Sequence, residues 1–147
     1  MFHYPHNHVE IRDAVAKLCT DFDGKYWQVC DADRAYPSAF VKALTGAGYL
    51  SALIPEEYGG LSLPISAGAA ILEEIHRSGG NAAACHAQMY TMGTVLRHGS
   101  DAQKQQYLPS IADGSLRLQA FGVTEPTSGT DTTALRTTAR RDGDDYV

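Results

Sequence analysis

Apolar residues recur at helical spacing over most of this chain. The first stripe consists of four residues three or four positions apart, Ile11, Val15, Leu18 and Phe22. This spacing predicts an amphipathic helix over roughly 8–23, and Asn7, three residues before Glu10, is its predicted cap. An apolar stripe of this kind has to be covered, so we expect the helix to pack against another element.

Glycines and prolines mark the bounds of three further helices. One opens at Pro37 and is ended by Gly46 and Gly48. The next starts near residue 63 and stops at Ser78-Gly79-Gly80, and the last stops near His98-Gly99. The stripes of these last two helices are Ile65, Ala69, Leu72 and Ile75, and Cys85, Met89, Met92 and Leu96.

A capping-box signature precedes one more helix. Ser100 is followed three residues later by Gln103, and the helical pattern continues despite Pro109. Short connections, such as a loop over 53–60, join the predicted helices. We therefore expect residues 1–115 to form one all-helical domain.

The period of the pattern changes after Gly114. Apolar and polar residues alternate over 116–120, as in a half-buried strand. A second strand is predicted over 134–141, and Asp142-Gly143 indicates a hairpin before a third strand beginning at Asp145. So few strands do not form a stable sheet by themselves. Residues 116–147 are therefore interpreted as the start of a β-domain within which the chain is cut.

The loop between the first two predicted strands is rich in hydroxyl groups. It reads Thr-Glu-Pro-Thr-Ser-Gly-Thr over residues 124–130. Its hydroxyls and main-chain N–H groups can bind an anion, and Gly129 lets a ligand approach the main chain closely. The loop matches neither the P-loop nor the dinucleotide fingerprint. From the residues alone, a turn that only links two strands remains the alternative.

Composition and charge narrow the class of protein. The net charge is −5 and the 12 basic residues are scattered, so nothing predicts a nucleic-acid surface. No run approaches the ~18 apolar residues of a membrane span, and the first residues resemble neither a secretory signal nor a transit peptide. Cys19, Cys30 and Cys85 are odd in number and far apart, so they are predicted to be buried or half-buried free thiols. These features favour a soluble cytoplasmic protein.

Two histidine patterns in the sequence could suggest a metal site. Glu73-x-x-His76 is half of a di-iron carboxylate signature, but its second half is missing from the sequence. His3, His6 and His8 are more typical of a solvated tail than of a metal grip. The sequence therefore predicts no metal site.

Several motifs in fixed order resemble the acyl-CoA dehydrogenase family. The main one is Val-Thr-Glu-Pro-x-Ser-Gly-Thr-Asp over residues 123–131, preceded by Gly122 and followed by Ala134. Other matching stretches are Tyr36-Pro37, Ile54-Pro55-Glu56-Glu57-Tyr58-Gly59-Gly60, Glu73-Glu74-Ile75, Gly99-Ser100-Asp101 and Tyr107-Leu108-Pro109. The resemblance covers nearly the whole chain from about residue 9 onward.

The resemblance implies a mainly α fold. Enzymes of this family have an N-terminal helical domain, a middle β-domain and a C-terminal helical bundle, and they are much longer than 147 residues. The chain is thus expected to be an N-terminal fragment, with 1–115 as the helical domain and 116–147 as the truncated start of the β-domain. The family's carboxylate base would lie beyond Val147, so no catalytic residue is assigned.

The resemblance also implies FAD as the cofactor. The expected cofactor contacts are Phe121, Gly122, Val123, Thr124, Gly129 and Thr130. Val123 and Thr124 would meet the polar edge of the flavin ring, and Gly129 and Thr130 its pyrophosphate. Thr130 would also approach the thioester. It stands where serine is commoner in the family, which keeps the hydroxyl and adds a methyl group.

The implied substrate is an acyl-CoA thioester. His86 and Tyr90 share a face of the fourth helical stripe with Gly93 and would floor the acyl pocket, with Met89 adapting to the chain. A core helix with a hydrogen-bonded histidine is the equally weighted alternative. The resemblance further implies an electron-transferring flavoprotein as acceptor, and a homo-oligomer at full length.

Three other functions stay open at this point. The same fold serves acyl-CoA oxidases and flavin-dependent monooxygenases, and these residues do not separate them from dehydrogenases. A non-catalytic helical remnant that keeps only subunit-packing surfaces is the third.

Overall fold

Six α-helices dominate the computed structural model, which describes residues 7–147. In chain order they are α1 (Val9–Cys19), α2 (Gly24–Ala32), α3 (Ser38–Gly46), α4 (Ile65–Arg77), α5 (Ala83–His98) and α6 (Asp101–Asp113). Single 3₁₀ turns cover Tyr49–Ser51, Glu56–Tyr58 and Thr132–Ala134, and a hairpin pairs β1 (Arg141–Asp142) with β2 (Asp145–Tyr146). The predicted mainly α fold is confirmed.

Helices α3 to α6 lie where the sequence pattern predicted them. The capping box at the start of α6 is present: the Ser100 hydroxyl accepts the Gln103 N–H at 3.3 Å, and the Gln103 side chain accepts the Ser100 N–H at 2.8 Å. These two bonds satisfy N–H groups that a helix start otherwise leaves unpaired. The helix continues through Pro109 as expected.

The helix predicted over roughly 8–23 starts where expected but ends earlier, and its predicted cap is wrong. α1 stops at Cys19, and Asp23 caps a separate helix, α2, by accepting the Tyr26 N–H at 3.0 Å. Asn7 is not the cap: its side chain accepts from Arg12, and the residue at the N-cap is His8 in a left-handed conformation. An aspartate that can cap a new helix therefore outweighed the continuing apolar stripe.

The core forms where α1, α3, α4 and α5 meet. Val15, Leu44 and Ile71 are fully buried there, and a second cluster gathers around Met92, Leu108 and Ile111. Edge-to-face ring contacts fasten α2 to α3, with Trp27 and Phe40 centroids 4.9 Å apart. The expectation for the cysteines is confirmed: Cys19 and Cys85 are buried, Cys30 is half-buried, and all three are free thiols.

An ion pair that is buried on the Arg12 side joins α1 to α4, whereas the side chain of its nearer partner, Glu73, is 42% exposed. Arg12 is 8% exposed, and its Nη2 lies 2.7 Å from Glu73 Oε2. Its Nη1 lies 3.9 Å from Glu74 Oε2, a carboxylate that also contacts Arg77 Nε at 3.1 Å. Charges out of water are tolerated only when they are paired. This pair therefore fixes how α4 sits against α1.

The predicted strands are mostly absent from the described residues. Segment 116–120 is irregular, half-buried up to Gln119 and paired with no strand, and most of 134–141 is irregular as well. The hairpin is confirmed: its second strand begins at Asp145 as predicted, although its two turn residues are Gly143 and Asp144 rather than Asp142 and Gly143. Every residue from Gly129 to Val147 is exposed. Extended segments without partner strands stay irregular, which explains the difference.

The structure also bears on the membrane span and the metal site that the sequence does not predict. No helix within residues 7–147 has both the length and the apolar character needed to cross a membrane. Over these residues, no group of three His, Cys, Asp or Glu side chains is placed to hold a metal ion. His3 and His6 lie outside the described residues, and His8 Nε2 is 2.9 Å from Ser66 Oγ.

Candidate functional site

A small apolar cavity lies between α4 and α5. Its volume is about 270 Å³. It is lined by Leu53, Ile65, Gly68, Ala69, Leu72, His86, Met89 and Tyr90. Two of the three predicted substrate residues, His86 and Tyr90, are thus among its walls, whereas Thr130 is not, and the remaining walls are apolar. An aliphatic group is the kind of ligand that such walls accept.

Small residues on α4 keep this cavity open. Leu53 reaches α4 because the chain folds back after it, with the Ser62 N–H donating to Ile54 O at 2.9 Å and the Leu63 N–H donating to Ala52 O at 2.8 Å. A Cβ on Gly68 would lie 3.2 to 3.5 Å from the Leu53 side chain. Glycine at this position therefore lets Leu53 lie close against the helix and shape the cavity wall.

A series of three aromatic rings leads from the cavity to the predicted flavin loop. His86 and Tyr90 pack edge to face with centroids 5.1 Å apart. Tyr90 and Phe121 follow, with centroids 5.1 Å apart and planes tilted by 59°. Phe121, the first predicted cofactor residue, thus lies directly on the helix that carries the predicted substrate residues.

The segment before Phe121 is fastened to the helices by polar contacts. Gln119 Nε2 donates to the Ala84 carbonyl at 3.0 Å and lies 3.1 Å from the Tyr36 hydroxyl. Arg117 Nη2 donates to Thr45 Oγ1 at 2.7 Å. Sequence reasoning missed both side chains. Their only signal was their place on the polar face of the predicted strand over 116–120.

Buried groups behind this segment are uncharged at neutral pH. Burial raises the pKa of the Cys85 thiol to about 12, although the positive charge of Arg117 acts in the opposite direction. Burial also raises the pKa of Cys19. Thiolates are the reactive form of cysteine. Both cysteines therefore act as small packing residues rather than as nucleophiles.

The hydroxyl-rich loop is folded on itself. Glu125 and Ser128 exchange main-chain hydrogen bonds of 2.9 and 3.2 Å. The Ser128 side chain is buried and donates to the Asp131 carbonyl, so it is not offered to a ligand as expected. Thr133 donates to the Asp131 carboxylate through its N–H and its hydroxyl, at 3.2 and 2.6 Å.

The other predicted cofactor residues remain accessible. Thr124, Gly129 and Thr130 are exposed, and Val123 is half-buried. A Cβ built on Gly122 or on Gly129 would meet nothing within 4 Å, so open space lies in front of both glycines. Gly129 does not need a left-handed backbone here. Because Gly129 has no side chain, a ligand can approach the main chain there closely.

These features fit a phosphate-bearing cofactor such as FAD. Open main chain at two glycines and the exposed hydroxyls of Thr124 and Thr130 are groups that bind phosphates and polar ring edges. Within the described residues, no hydrogen bond or ring contact joins Gly129 or Thr130 to α5. The structure therefore brings together His86, Tyr90 and Phe121, while the second half of the loop stands apart.

Known proteins resemble this chain in sequence and in fold. Residues 5–115 match the family described as the acyl-CoA dehydrogenase N-terminal domain. A probable acyl-CoA dehydrogenase, fadE25 of Mycobacterium leprae, is 31% identical over all of this chain, which spans 38% of that protein.

Two solved structures share the fold. One is a glutaryl-coenzyme A dehydrogenase in complex with glutaryl-CoA, with TM-score 0.82, 27% identity and coverage of 99% of this chain and 38% of the other. The other is an acyl-CoA dehydrogenase from Bacillus anthracis complexed with FAD, with TM-score 0.73, 28% identity and coverage of 98% and 26%.

The chain thus spans well under half the length of these relatives. The family match, in contrast, covers most of the chain and coincides with helices α1 to α6. On these grounds the chain belongs to the acyl-CoA dehydrogenase family of oxidoreductases, through that family's N-terminal domain.

Proposed function

We propose that this chain supplies the acyl pocket and the flavin loop of an FAD-dependent acyl-CoA dehydrogenase, which converts an acyl-CoA thioester to its 2-enoyl thioester. The observation that carries the proposal is the ring series from His86 through Tyr90 to Phe121. It connects an apolar cavity suited to an acyl chain with a loop suited to a flavin. The relatives solved with glutaryl-CoA and with FAD support the same pairing of ligands.

The residues of this chain bind and orient rather than transfer protons. Val123 and Thr124 would hold the polar edge of the flavin, and Gly129 and Thr130 its pyrophosphate, with Thr130 also near the thioester. FAD, when bound, supplies a hydride acceptor for the β-carbon of the acyl chain. Phe121 and Tyr90, whose ring centroids lie 5.1 Å apart, would form an aromatic wall beside the reacting carbons, and Phe121 is 62% exposed in this chain.

The acyl chain would enter between α4 and α5. Met89, with its flexible thioether, lines this cavity and can adapt to the shape of the chain. His86 lies at the cavity end of the ring series, where it would floor the pocket. The proposal has four further parts. The electron acceptor is an electron-transferring flavoprotein, the full-length protein is a homo-oligomer, its location is cytoplasmic, and a β-domain begins at residue 116.

Methionine methyl groups provide an experiment for the acyl pocket. Met89 lines the cavity, whereas Met92, one turn further along α5, is fully buried in the second core cluster. In the 147-residue chain labelled at methionine methyl carbons, octanoyl-CoA is expected to shift the Met89 signal and to leave Met92 in place. Coenzyme A without an acyl chain is expected to shift neither.

A cavity-filling variant makes this experiment specific. Ala69→Leu puts extra volume into the cavity wall on α4, so the octanoyl-CoA shift at Met89 should disappear. Ala102→Leu, at an exposed position of α6, is the matched control and should keep the shift. If Met89 ignores octanoyl-CoA, or if the signals of Met89 and Met92 move equally, the acyl pocket has been misplaced.

A further inference from the structure

A single carboxylate closes the hydroxyl-rich loop. Glu125 Oε2 accepts the Arg136 N–H at 2.8 Å, and Glu125 Oε1 accepts the Thr137 N–H at 2.7 Å. Each carboxylate oxygen therefore holds one of two successive main-chain N–H groups, eleven and twelve residues along the chain. Hydrogen bonds to an ionised acceptor are stronger than neutral ones. The residues between these contacts include Gly129 and Thr130.

Few other contacts hold residues 125–147 in place. Residues 129–147 are exposed, and the other contacts inside the loop are the Glu125–Ser128 bridge, the Thr132 N–H donating to the Thr130 carbonyl at 3.1 Å, and the contacts of Asp131. Those contacts are local, within three residues. Among these side-chain contacts, the Glu125 carboxylate is the one that connects the start of the loop to the segment after it.

We propose that Glu125 is a positioning residue: by holding the main-chain N–H groups of Arg136 and Thr137, it keeps the loop closed so that Gly129 and Thr130 stay arranged for a pyrophosphate. This inference rests on the proposed function for the identity of the ligand. Its first half, that the carboxylate sets the shape of the loop, stands on the two hydrogen bonds alone. Glu125 itself is not proposed to contact the ligand.

The protonation of Glu125 provides a readout of this role. Its pKa is lowered from the ordinary value of 4.5, first by a side-chain hydrogen bond from Thr137 and then by the N–H groups of Arg136 and Thr137. Because the folded-state pKa is the lower one, the contribution to stability is fully present above about pH 4.5 and is lost as the pH falls through the lowered value. The other charged side chains of loop 125–137 are Asp131, which accepts from Thr133, and Arg136.

The first measurement follows individual amides in the 147-residue chain by NMR. The Arg136 and Thr137 amide signals are expected to titrate together below pH 4.5 in the wild type and to stop titrating in Glu125→Gln. In that variant both amides should exchange with solvent about twofold to tenfold faster. Glu125→Asp should restore part of the effect. Glu57→Gln, at an exposed position, makes the same charge change and should leave both amides unaltered.

The second measurement adds inorganic pyrophosphate above pH 6 and follows the Gly129 and Thr130 amides. Removing a negative charge by itself would strengthen anion binding, whereas loss of positioning weakens it. We therefore expect Glu125→Gln to bind pyrophosphate about twofold to tenfold more weakly than wild type and Glu57→Gln.

The two measurements test the positioning role of Glu125 and the identity of the ligand separately. Arg136 and Thr137 amides that behave identically in wild type and Glu125→Gln would overturn the positioning role, and so would equal or tighter pyrophosphate binding by that variant. If pyrophosphate does not shift the Gly129 and Thr130 amide signals of the wild-type chain, the proposed function is wrong about the ligand of this loop. In that case the amide titration still decides whether Glu125 shapes the loop.

Discussion

Replacing Gly60 by alanine is expected to lower the free energy of unfolding by about 3 kcal/mol or more, because the new Cβ has no space. A Cβ at this position would overlap the main chain and the side chain of Ile54. Main-chain atoms cannot turn away as the end of a flexible side chain can. The fold-back that carries Leu53 to the cavity would have to open, since Gly60 lies within it.

The comparison residue for this prediction is Gly93 in α5. A Cβ built there meets nothing within 4 Å, and alanine favours a helix over glycine by roughly 0.5–1 kcal/mol. Thermal unfolding of the two variants should therefore move in opposite directions, with Gly60→Ala about 10 °C below wild type and Gly93→Ala at or above it. Equal melting temperatures for wild type and Gly60→Ala would show that the fold-back has been misplaced.

Arg12→Met is expected to destabilise the chain by about 3 kcal/mol, since it leaves buried carboxylate charge with less compensation. Arg12 is nearly buried and reaches both Glu73 and Glu74 on α4. The Glu74 side chain is only 3% exposed, so water cannot replace the lost guanidinium. Of the two arginines beside Glu74, Arg77 would remain.

Arg77→Met is the matched control for this pair. The Arg77 side chain is 63% exposed, and exposed ion pairs contribute at most about 1 kcal/mol. Urea unfolding should thus separate the two variants by about 2 kcal/mol in free energy at neutral pH. Loss of equal stability in both variants would contradict the view that Arg12, rather than Arg77, fixes α4 against α1.

Local rules predicted much of the helical part of the fold. Ser100 and Gln103 form the expected capping box, because both members lie within one turn and need no distant partner. α2 was missed although its cap, Asp23, lies within one turn, because the helix has only a weak apolar pattern of its own. It is also held by tertiary contacts such as that of Trp27 with Phe40.

The candidate site was predictable only in part. The motif indicated a ligand loop, but composition does not tell which hydroxyls face outward, and Ser128 turned out to bond within the loop. The contact of Phe121 with Tyr90 lies beside the bond of Gln119 to the Ala84 carbonyl, which is 35 positions earlier in the sequence. Contacts at such separations are set by how the helices pack and leave no local pattern.

A chimera tests the central proposal most directly. Residues 1–147 would replace the equivalent segment of the Bacillus anthracis enzyme that was solved with FAD, which supplies the parts of a complete enzyme around them. The 147-residue chain alone, in which residues 129–147 are exposed, is the low-affinity baseline. Thr124→Val deletes the hydroxyl assigned to the flavin edge, and Thr132→Val deletes one outside the assigned contacts.

The measurement is FAD retention by the purified chimera, together with acyl-CoA-dependent reduction of a dye acceptor. We expect a folded chimera to retain FAD and to reduce the dye, Thr124→Val to bind FAD about fivefold more weakly, and Thr132→Val to match the parent chimera. A chimera with native helical content that retains no FAD, or in which Thr124→Val and Thr132→Val bind FAD equally, would contradict the proposed flavin loop.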